Sequence, residues 1–433
     1  MKASISTHGR LAFVNDRNGR EYLLRKVEVW ADEAKKQDPR LEIIKLNLGN
    51  LSGPIFGAPK EFTSILANHI KNWDGSYFPS RGYSPLIKAI ADKQEKETGK
   101  RPEDNFVLTG EGGSWFIEKI IGHTMDSRSG ILLPDPGYPL YTTEIVKNSG
   151  HAFMYGMDKD GNPDILHVRE LVREAKSEGI RLKCLVVINP NNPTGAIYSK
   201  KSLLELLDVA RENDLFVLAD EVYYLTRFCG NTPIHISTLA DDVPIIQLGS
   251  LSKEYQLCGS RVGWGICENF GEGTPSMKIF RKLENDQMGR LSPNGLQLGA
   301  AEIVNREEHL PRLREETRLR QEATKKALSA IEGIILGPDP GAAFYRWVGL
   351  DLGDPKVTDI GFVKSLIRDT GVVCAPGIGF TLHRKDQNAE SFKSSKVHFR
   401  VTPLVSEEMI MKAGQKIREH VENLRKGKVK IPK

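Results

Sequence analysis

The chain has 433 residues, 39% of them hydrophobic and 27% charged, an ordinary composition and a length that supports two domains with sizeable cores. Its 61 basic against 56 acidic residues leave a net charge of +5, too small and too dispersed for a nucleic-acid partner, and the basic run from 425 to 433 reads as a solvated tail. Five widely spaced cysteines exclude a disulfide framework or a zinc site, and no stretch approaches the ~20 apolar residues of a membrane span, so a cytoplasmic protein without a metal is expected.

Residues 1–20 read as a flexible polar arm with no signal-peptide core, and 21–36 as a helix in which Leu24, Val27, Val29 and Ala34 interrupt charge. A short strand over 43–48 leads into a Gly/Pro/Ser-rich loop, 49–59. Helices over 61–72 and 85–98 flank a loop that carries Tyr77. From Phe106 the chain alternates strand and helix. The strands fall at 106–109, 130–133, 151–155, 183–189, 215–220 and 244–249, several as continuous apolar runs such as Cys184–Ile188. That pattern predicts a mainly parallel sheet covered on both faces. A further apolar run follows at 262–267. The charged helical stretch 295–331 reads as a long exposed connector. Beyond it, strands at 343–348, 372–375 and 397–401 with helices at both ends suggest a smaller α+β domain.

Polar motifs stand at the ends of these strands. Ser250-Leu-Ser-Lys253 follows the apolar run 244–249, and Arg261 lies eight residues further on. A hydroxyl and a guanidinium flanking one lysine suit a phosphate held beside an amine that forms a Schiff base, the requirement of pyridoxal 5′-phosphate (PLP) chemistry. The Ser-x-x-Lys spacing alone reads more simply as a surface lysine in a turn. Gly110-Glu-Gly-Gly-Ser114 opens a helix, where the N–H groups of Gly113 and Ser114 suit a phosphate; a tight turn explains the glycines equally well. Tyr138, in Asp135-Pro-Gly-Tyr-Pro139, offers a ring to stack on a flat cofactor or to bury in the core. Asn189-Pro-Asn-Asn-Pro-Thr-Gly195 bars helix and presents Asn192 on a fixed backbone, although asparagines in turns usually cap themselves. Asp220 ends an apolar strand, where an acid needs a partner, and Tyr223 follows; an N-cap aspartate is the plain alternative.

In their joint order these motifs resemble the class I/II aminotransferases of the fold-type I PLP-dependent family, over most of the chain from about Leu46 to Pro403. The likeness is greatest to the alanine (glutamate–pyruvate) transaminase-like subgroup. Lys45-Leu-Asn-Leu-Gly-Asn50, Tyr138-Pro-Leu-Tyr141 and Ile188–Ser199 carry it. The resemblance implies fold type I, a mainly parallel sheet between helices in a large domain plus a smaller α+β domain. It divides the chain into the arm 1–20, small-domain residues 21–60, a PLP-binding domain 61–320 and a small domain 321–433. It implies that Lys253 forms the Schiff base and moves the proton, that Asp220 pairs with the ring nitrogen, and that Asn192 and Tyr223 meet the ring oxygen. Tyr138 would stack on the ring; Gly113, Ser114, Ser250 and Arg261 would hold the phosphate, joined by Tyr77 from a partner subunit of a homodimer. Arg400 would grip the substrate carboxylate near Gly49 and Asn192.

Tyr22-Leu-Leu-Arg25 resembles a Tyr-x-x-Arg-Gly signature of the subgroup near the substrate side chain, with Lys26 in place of the glycine. Glu254, directly after the lysine, departs from the small or hydroxyl residue usual there. The expected activity is amino transfer from an alanine- or glutamate-like donor to a 2-oxo acid. A lyase, decarboxylase or oxidase reaction on the same cofactor, as in specialised biosynthesis, stands as the alternative. A PLP-binding gene regulator would need a helix-turn-helix, and residues ahead of Leu46 show none.

Overall fold

The computed structural model describes residues 23–290, 295–354, 356–381 and 396–431, with the side chains of 288–290 excepted. The arm 1–20 and Tyr22 lie outside the described residues. Among those described, no helix is long and apolar enough to cross a membrane.

A seven-stranded sheet forms the large domain, in the order Val107–Gly110, Gly263–Glu268, Ile245–Ser250, Phe216–Asp220, Arg181–Ile188, Ser129–Pro134 and His151–Tyr155. Gly263–Glu268 runs antiparallel to both its neighbours; every other pairing is parallel. The expectation of a mainly parallel sheet holds, with one reversed strand. Both faces are covered. Ile165–Ser177 buries Val168, Leu171, Val172 and Ala175, the three- and four-residue spacing of one helical face, and Asp164 caps it by accepting the His167 N–H at 3.2 Å. Lys200–Glu212 repeats the device with Ser199 as cap and Leu203, Leu206, Leu207 and Ala210 inward.

The small domain has a four-stranded antiparallel sheet in the order Ala375–Pro376, Lys396–Val401, Arg346–Asp351 and Ile334–Leu336. The N-terminal helix Leu23–Gln37 packs into the same core, placing Val27, Trp30, Ala31 and Ala34 beside Phe362, Val363 and Leu366. Val29, one of the apolar residues that interrupt the charge of this helix, is 52% exposed, because Trp30 and Ala31 fill the inward positions of that turn. The strand expected over 43–48 shortens to Ile44–Lys45, paired in parallel with Val372–Val373, so the N-terminal segment is bonded to the far end of the chain.

Two further expectations change. The stretch 295–331 is not an exposed connector: it breaks into the helices Gln297–Ile303 and Leu310–Ser329, preceded by Pro275–Arg290. Leu310–Ser329 buries Leu310 and Leu313 in one core cluster and Leu328 in that of the small domain, so apolar packing spans the join. Its exposed charges hid this stripe from a reading of composition. The strand expected over 343–348 begins only at Arg346, because Ala343 has φ +59° and the backbone turns before entering the sheet.

Candidate active site

The polar motifs converge where the strand ends of the large sheet face the small sheet. In-register pairing sets Asp220 opposite both Ile188 and Leu248, while Ser250 stands opposite Gly263. The resulting cavity has a volume of ≈ 560 Å³, within the range of cofactor and small-molecule sites. Lys253, Asp220, Tyr223, Asn192, Tyr138 and Ser250 line it, as do Gly113, Ser114, Arg261, Gly49, Arg25 and Arg400. Those twelve sequence-predicted residues meet in one place. Tyr77 does not join them in the single chain; it is 75% exposed on the loop between Lys60–Lys71 and Ser84–Thr98.

Lys253 lies on the short helix Leu251–Glu254 that leaves the strand Ile245–Ser250, with Ser250 capping the helix through the Ser252 N–H at 3.2 Å. The half-buried amine donates to the Gly49 carbonyl at 2.6 Å. Asp220 ends its strand with no α-helix after it, only the short turn Tyr224–Thr226, so the N-cap alternative falls. The carboxylate is 5% exposed; one oxygen accepts the Tyr141 hydroxyl at 3.0 Å and the other has no partner. Burial pushes its pKa up to about 6 against the lowering pull of Tyr141 and the Val222 N–H. Above about pH 6 the carboxylate is charged, and its open oxygen is left for a positive or donating partner.

Of the asparagines in the 189–195 loop, Asn191 caps the turn itself, accepting Thr194 N–H at 3.2 Å, and Asn189 accepts Tyr198 N–H at 2.9 Å. Asn192 is left to face the site, and its side-chain oxygen accepts from Arg400 at 2.9 Å. Arg400 is buried on the strand Lys396–Val401, with its second terminal nitrogen on the Asn47 carbonyl and Nε unpartnered. Its guanidinium lies between two rings, 4.3 Å from the centroid of Tyr345 and 4.7 Å from that of Phe380.

At the other end, Gly112 at φ +80° precedes the helix Gly113–Thr124. A Cβ on Gly112 would sit 2.5 Å from the Arg261 guanidinium, and one on Gly263 would sit 2.6 Å from the Gly112 backbone. Glycine is what lets helix terminus and arginine close on one small anion. Arg261, itself left-handed at φ +51°, precedes the strand Gly263–Glu268 and bonds the carbonyls of Cys258 at 2.9 Å and Glu111 at 3.2 Å.

Glu254 turns away from the cavity. It is buried and accepts the Leu225 N–H at 2.8 Å, and burial pushes its pKa up to about 7. The acid beside Lys253 thus ties the lysine helix to the turn that carries Tyr223. Sequence reasoning missed Tyr345, Ser252 and Cys258, which also line the cavity, and Tyr141, which supports Asp220. Tyr141 stood in a quoted motif without a role; Tyr345 fell inside the strand expected over 343–348.

The residues fit a pyridoxal phosphate. An open carboxylate oxygen suits its ring nitrogen, a helix terminus with Ser250 and Arg261 suits its phosphate, and the Lys253 amine borders the same cavity. The family model "Aminotransferase class I and II" matches residues 42–417. A glutamate–pyruvate aminotransferase of Haemophilus influenzae is 30% identical over 375 residues, covering 84% of this chain and 86% of its own. A tyrosine aminotransferase of Dictyostelium discoideum is 32% identical over 267 residues, 60% of this chain and 62% of its own. Among solved structures, an alanine aminotransferase from Pyrococcus furiosus superposes with TM-score 0.83 at 28% identity, covering 93% of this chain and 98% of that one.

Proposed function

The chain belongs to the class I and II aminotransferases, a family that uses pyridoxal phosphate, and within it we propose an enzyme that takes the amino group from an alanine- or glutamate-like donor and passes it to a 2-oxo acid. The observation that carries this reading is the Lys253 amine in one cavity with two unmet groups, the free oxygen of Asp220 and Nε of Arg400. When bound, the cofactor supplies an aldehyde for the amine and an electron-withdrawing ring.

The chain's residues take the remaining tasks. Asp220 would hold the proton on the ring nitrogen, Tyr138 would cover the ring face, and Asn192 and Tyr223 would donate to its oxygen. Gly113, Ser114, Ser250 and Arg261 hold the phosphate. Arg400, fixed between its two rings, receives the substrate α-carboxylate and so orients the bond to the α-hydrogen. Lys253 Nζ would accept the substrate α-proton and return a proton to the carbon on the other side of the amino nitrogen. Leu24 and Arg25 border the same cavity, and the Arg25 cation favours a donor with a side-chain carboxylate. The glutamate–pyruvate aminotransferase of Haemophilus and the alanine aminotransferase of Pyrococcus support an alanine or glutamate donor.

The same reading assigns residues 21–60 and 321–433 to the small domain and 61–320 to the large one, and places two copies together so that Tyr77 of each completes the partner's phosphate site. The exposure of Tyr77 and the stacking of Trp73 on Phe78 at 5.5 Å support a docking loop there. The deciding experiment is to add single amino acids, without oxo acid, to the PLP-loaded enzyme and follow its absorbance. Alanine or glutamate should convert the bound aldehyde form to pyridoxamine phosphate in one equivalent. Release of ammonia or carbon dioxide with the aldehyde form retained would overturn amino transfer.

A further inference from the structure

Tyr345 precedes the small-domain strand Arg346–Asp351, yet it touches three of the groups assigned above. Its hydroxyl lies 2.7 Å from the hydroxyl of Tyr223, with the two rings edge to face at 5.6 Å. Its ring carries the Arg400 guanidinium at 4.3 Å. Its hydroxyl also fills the space beside Gly49, where a Cβ would stand 2.3 Å away, and the Gly49 carbonyl holds the Lys253 amine. Gln321 anchors its carbonyl at 3.2 Å, so the ring is fixed from its backbone outward.

We infer that Tyr345 is a positioning residue that aims the Tyr223 hydroxyl proton at the cofactor ring oxygen and ties that aim to the carboxylate grip of Arg400. The inference rests on the cofactor reading above and adds a residue to it. A hydroxyl has one proton and two lone pairs. Two phenols at 2.7 Å share one hydrogen bond. If Tyr345 donates in it, the Tyr223 proton is free for the cavity, and accepting one bond strengthens the bond Tyr223 donates. Tyr223 keeps that proton, since burial and the Tyr345 contact hold its pKa well above the ordinary tyrosine range. Tyr345 comes from the small domain and Tyr223 from the large one. A shift of Arg400 on binding a carboxylate therefore reaches Tyr223 through a single ring.

The charged and titratable groups facing the pair are Asp220 and Tyr138 from the large domain, Lys253 beside Gly49, and Arg400 from the small sheet. Tyr345→Phe alters none of them and leaves the ring under Arg400. The test is the pH titration of the absorbance of bound PLP. A donor on the ring oxygen drains charge that would otherwise hold the proton on the neighbouring Schiff-base nitrogen. Weakening the donor therefore raises the midpoint. Tyr223→Phe should raise it most. Tyr345→Phe should raise it by about half a pH unit, a threefold change in proton affinity. In the Tyr223→Phe background the Tyr345 change should add nothing, the signature of action through Tyr223. KM for the amino acid should stay within a few-fold. An unchanged midpoint in Tyr345→Phe, or the same shift with Tyr223 already removed, overturns the inference alone. A wild-type protein that gains no cofactor band on reconstitution overturns the cofactor reading, and this inference with it.

Discussion

Replacing Asp220 by Asn should stabilise the protein stripped of cofactor while abolishing its chemistry. Asp220 is 5% exposed, and one carboxylate oxygen has no partner. Burial raises its pKa from 3.8 to about 6. The folded form of an acid with a raised pKa binds protons that the unfolded chain has released, so its penalty is absent at low pH and grows as pH climbs from 3.8 to 6. At pH 8 the shift of about 2.2 units, the difference of those two values, corresponds to about 3 kcal/mol. At pH 5 it is about 1.6 kcal/mol. Asparagine keeps an acceptor for Tyr141 and has no charge to bury. For a chain of 433 residues, 1 kcal/mol moves the melting temperature by about 1 °C, so the stripped variant should melt about 3 °C higher at pH 8 and about half that at pH 5. Turnover should fall by at least about 10³-fold, because an amide does not hold the ring nitrogen protonated. Differential scanning calorimetry at the two pH values reads the first effect and a coupled assay the second. A variant that melts no higher at pH 8, or gains equally at both pH values, refutes the buried, partnerless carboxylate.

Glu254→Gln keeps the acceptor for the Leu225 N–H and removes an acid whose pKa rises from 4.5 to about 7, so melting should rise above pH 7 and match wild type near pH 4.5; Glu254→Ala also removes the acid but strands that N–H, and should be about 1–3 kcal/mol less stable than Glu254→Gln at every pH. Gly49→Ala puts a methyl 2.3 Å from the Tyr345 hydroxyl and disturbs the carbonyl that holds Lys253. Its kcat/KM should drop about 10²-fold with an unaltered circular dichroism spectrum, and near-wild-type kinetics would show that Tyr345 moves freely. Arg400→Lys loses the planar fork stacked between Tyr345 and Phe380 and should raise KM about 10²-fold more than it lowers kcat; equal losses in both would place Arg400 away from the ground-state carboxylate.

Strand positions were legible because a covered parallel sheet demands continuous apolar runs, and Cys184–Ile188 has no other use. The candidate site was legible for a related reason. Polar residues at the ends of such runs are costly unless used, so Asn192, Asp220 and Ser250 stood out against their strands. Residues whose value lies in a long-range contact left no local mark. Leu310–Ser329 looked like an exposed connector because its charges outnumber its stripe, yet the stripe reaches two cores. Tyr345 looked like one more position of the strand expected over 343–348; its partners Tyr223, Arg400 and Gly49 lie 122, 55 and 296 residues away along the chain.

That separation also explains why the cofactor site and the substrate site were not equally readable. The proposed cofactor residues stand at strand ends of a single sheet, and from Tyr138 through Asn192, Asp220 and Lys253 to Arg261 they step across neighbouring strands in sequence order; Gly113 and Ser114 follow the edge strand Val107–Gly110, beside Gly263–Glu268. The wall proposed for the substrate is assembled from Leu24 and Arg25 on the first helix, Gly49 after the first strand, Tyr345 and Arg400, which belong to the small domain and its N-terminal attachments. No spacing rule connects them. What brings them together is the pairing of Ile44–Lys45 with Val372–Val373 and the packing of the first helix on Phe362 and Val363. Arg400 then reaches Asn192 across the join, so the carboxylate grip proposed for it draws on both domains at once. A change of donor among related chains can therefore proceed through the N-terminal segment and small domain, while the lysine, the aspartate and the phosphate cradle stay in place on the large sheet.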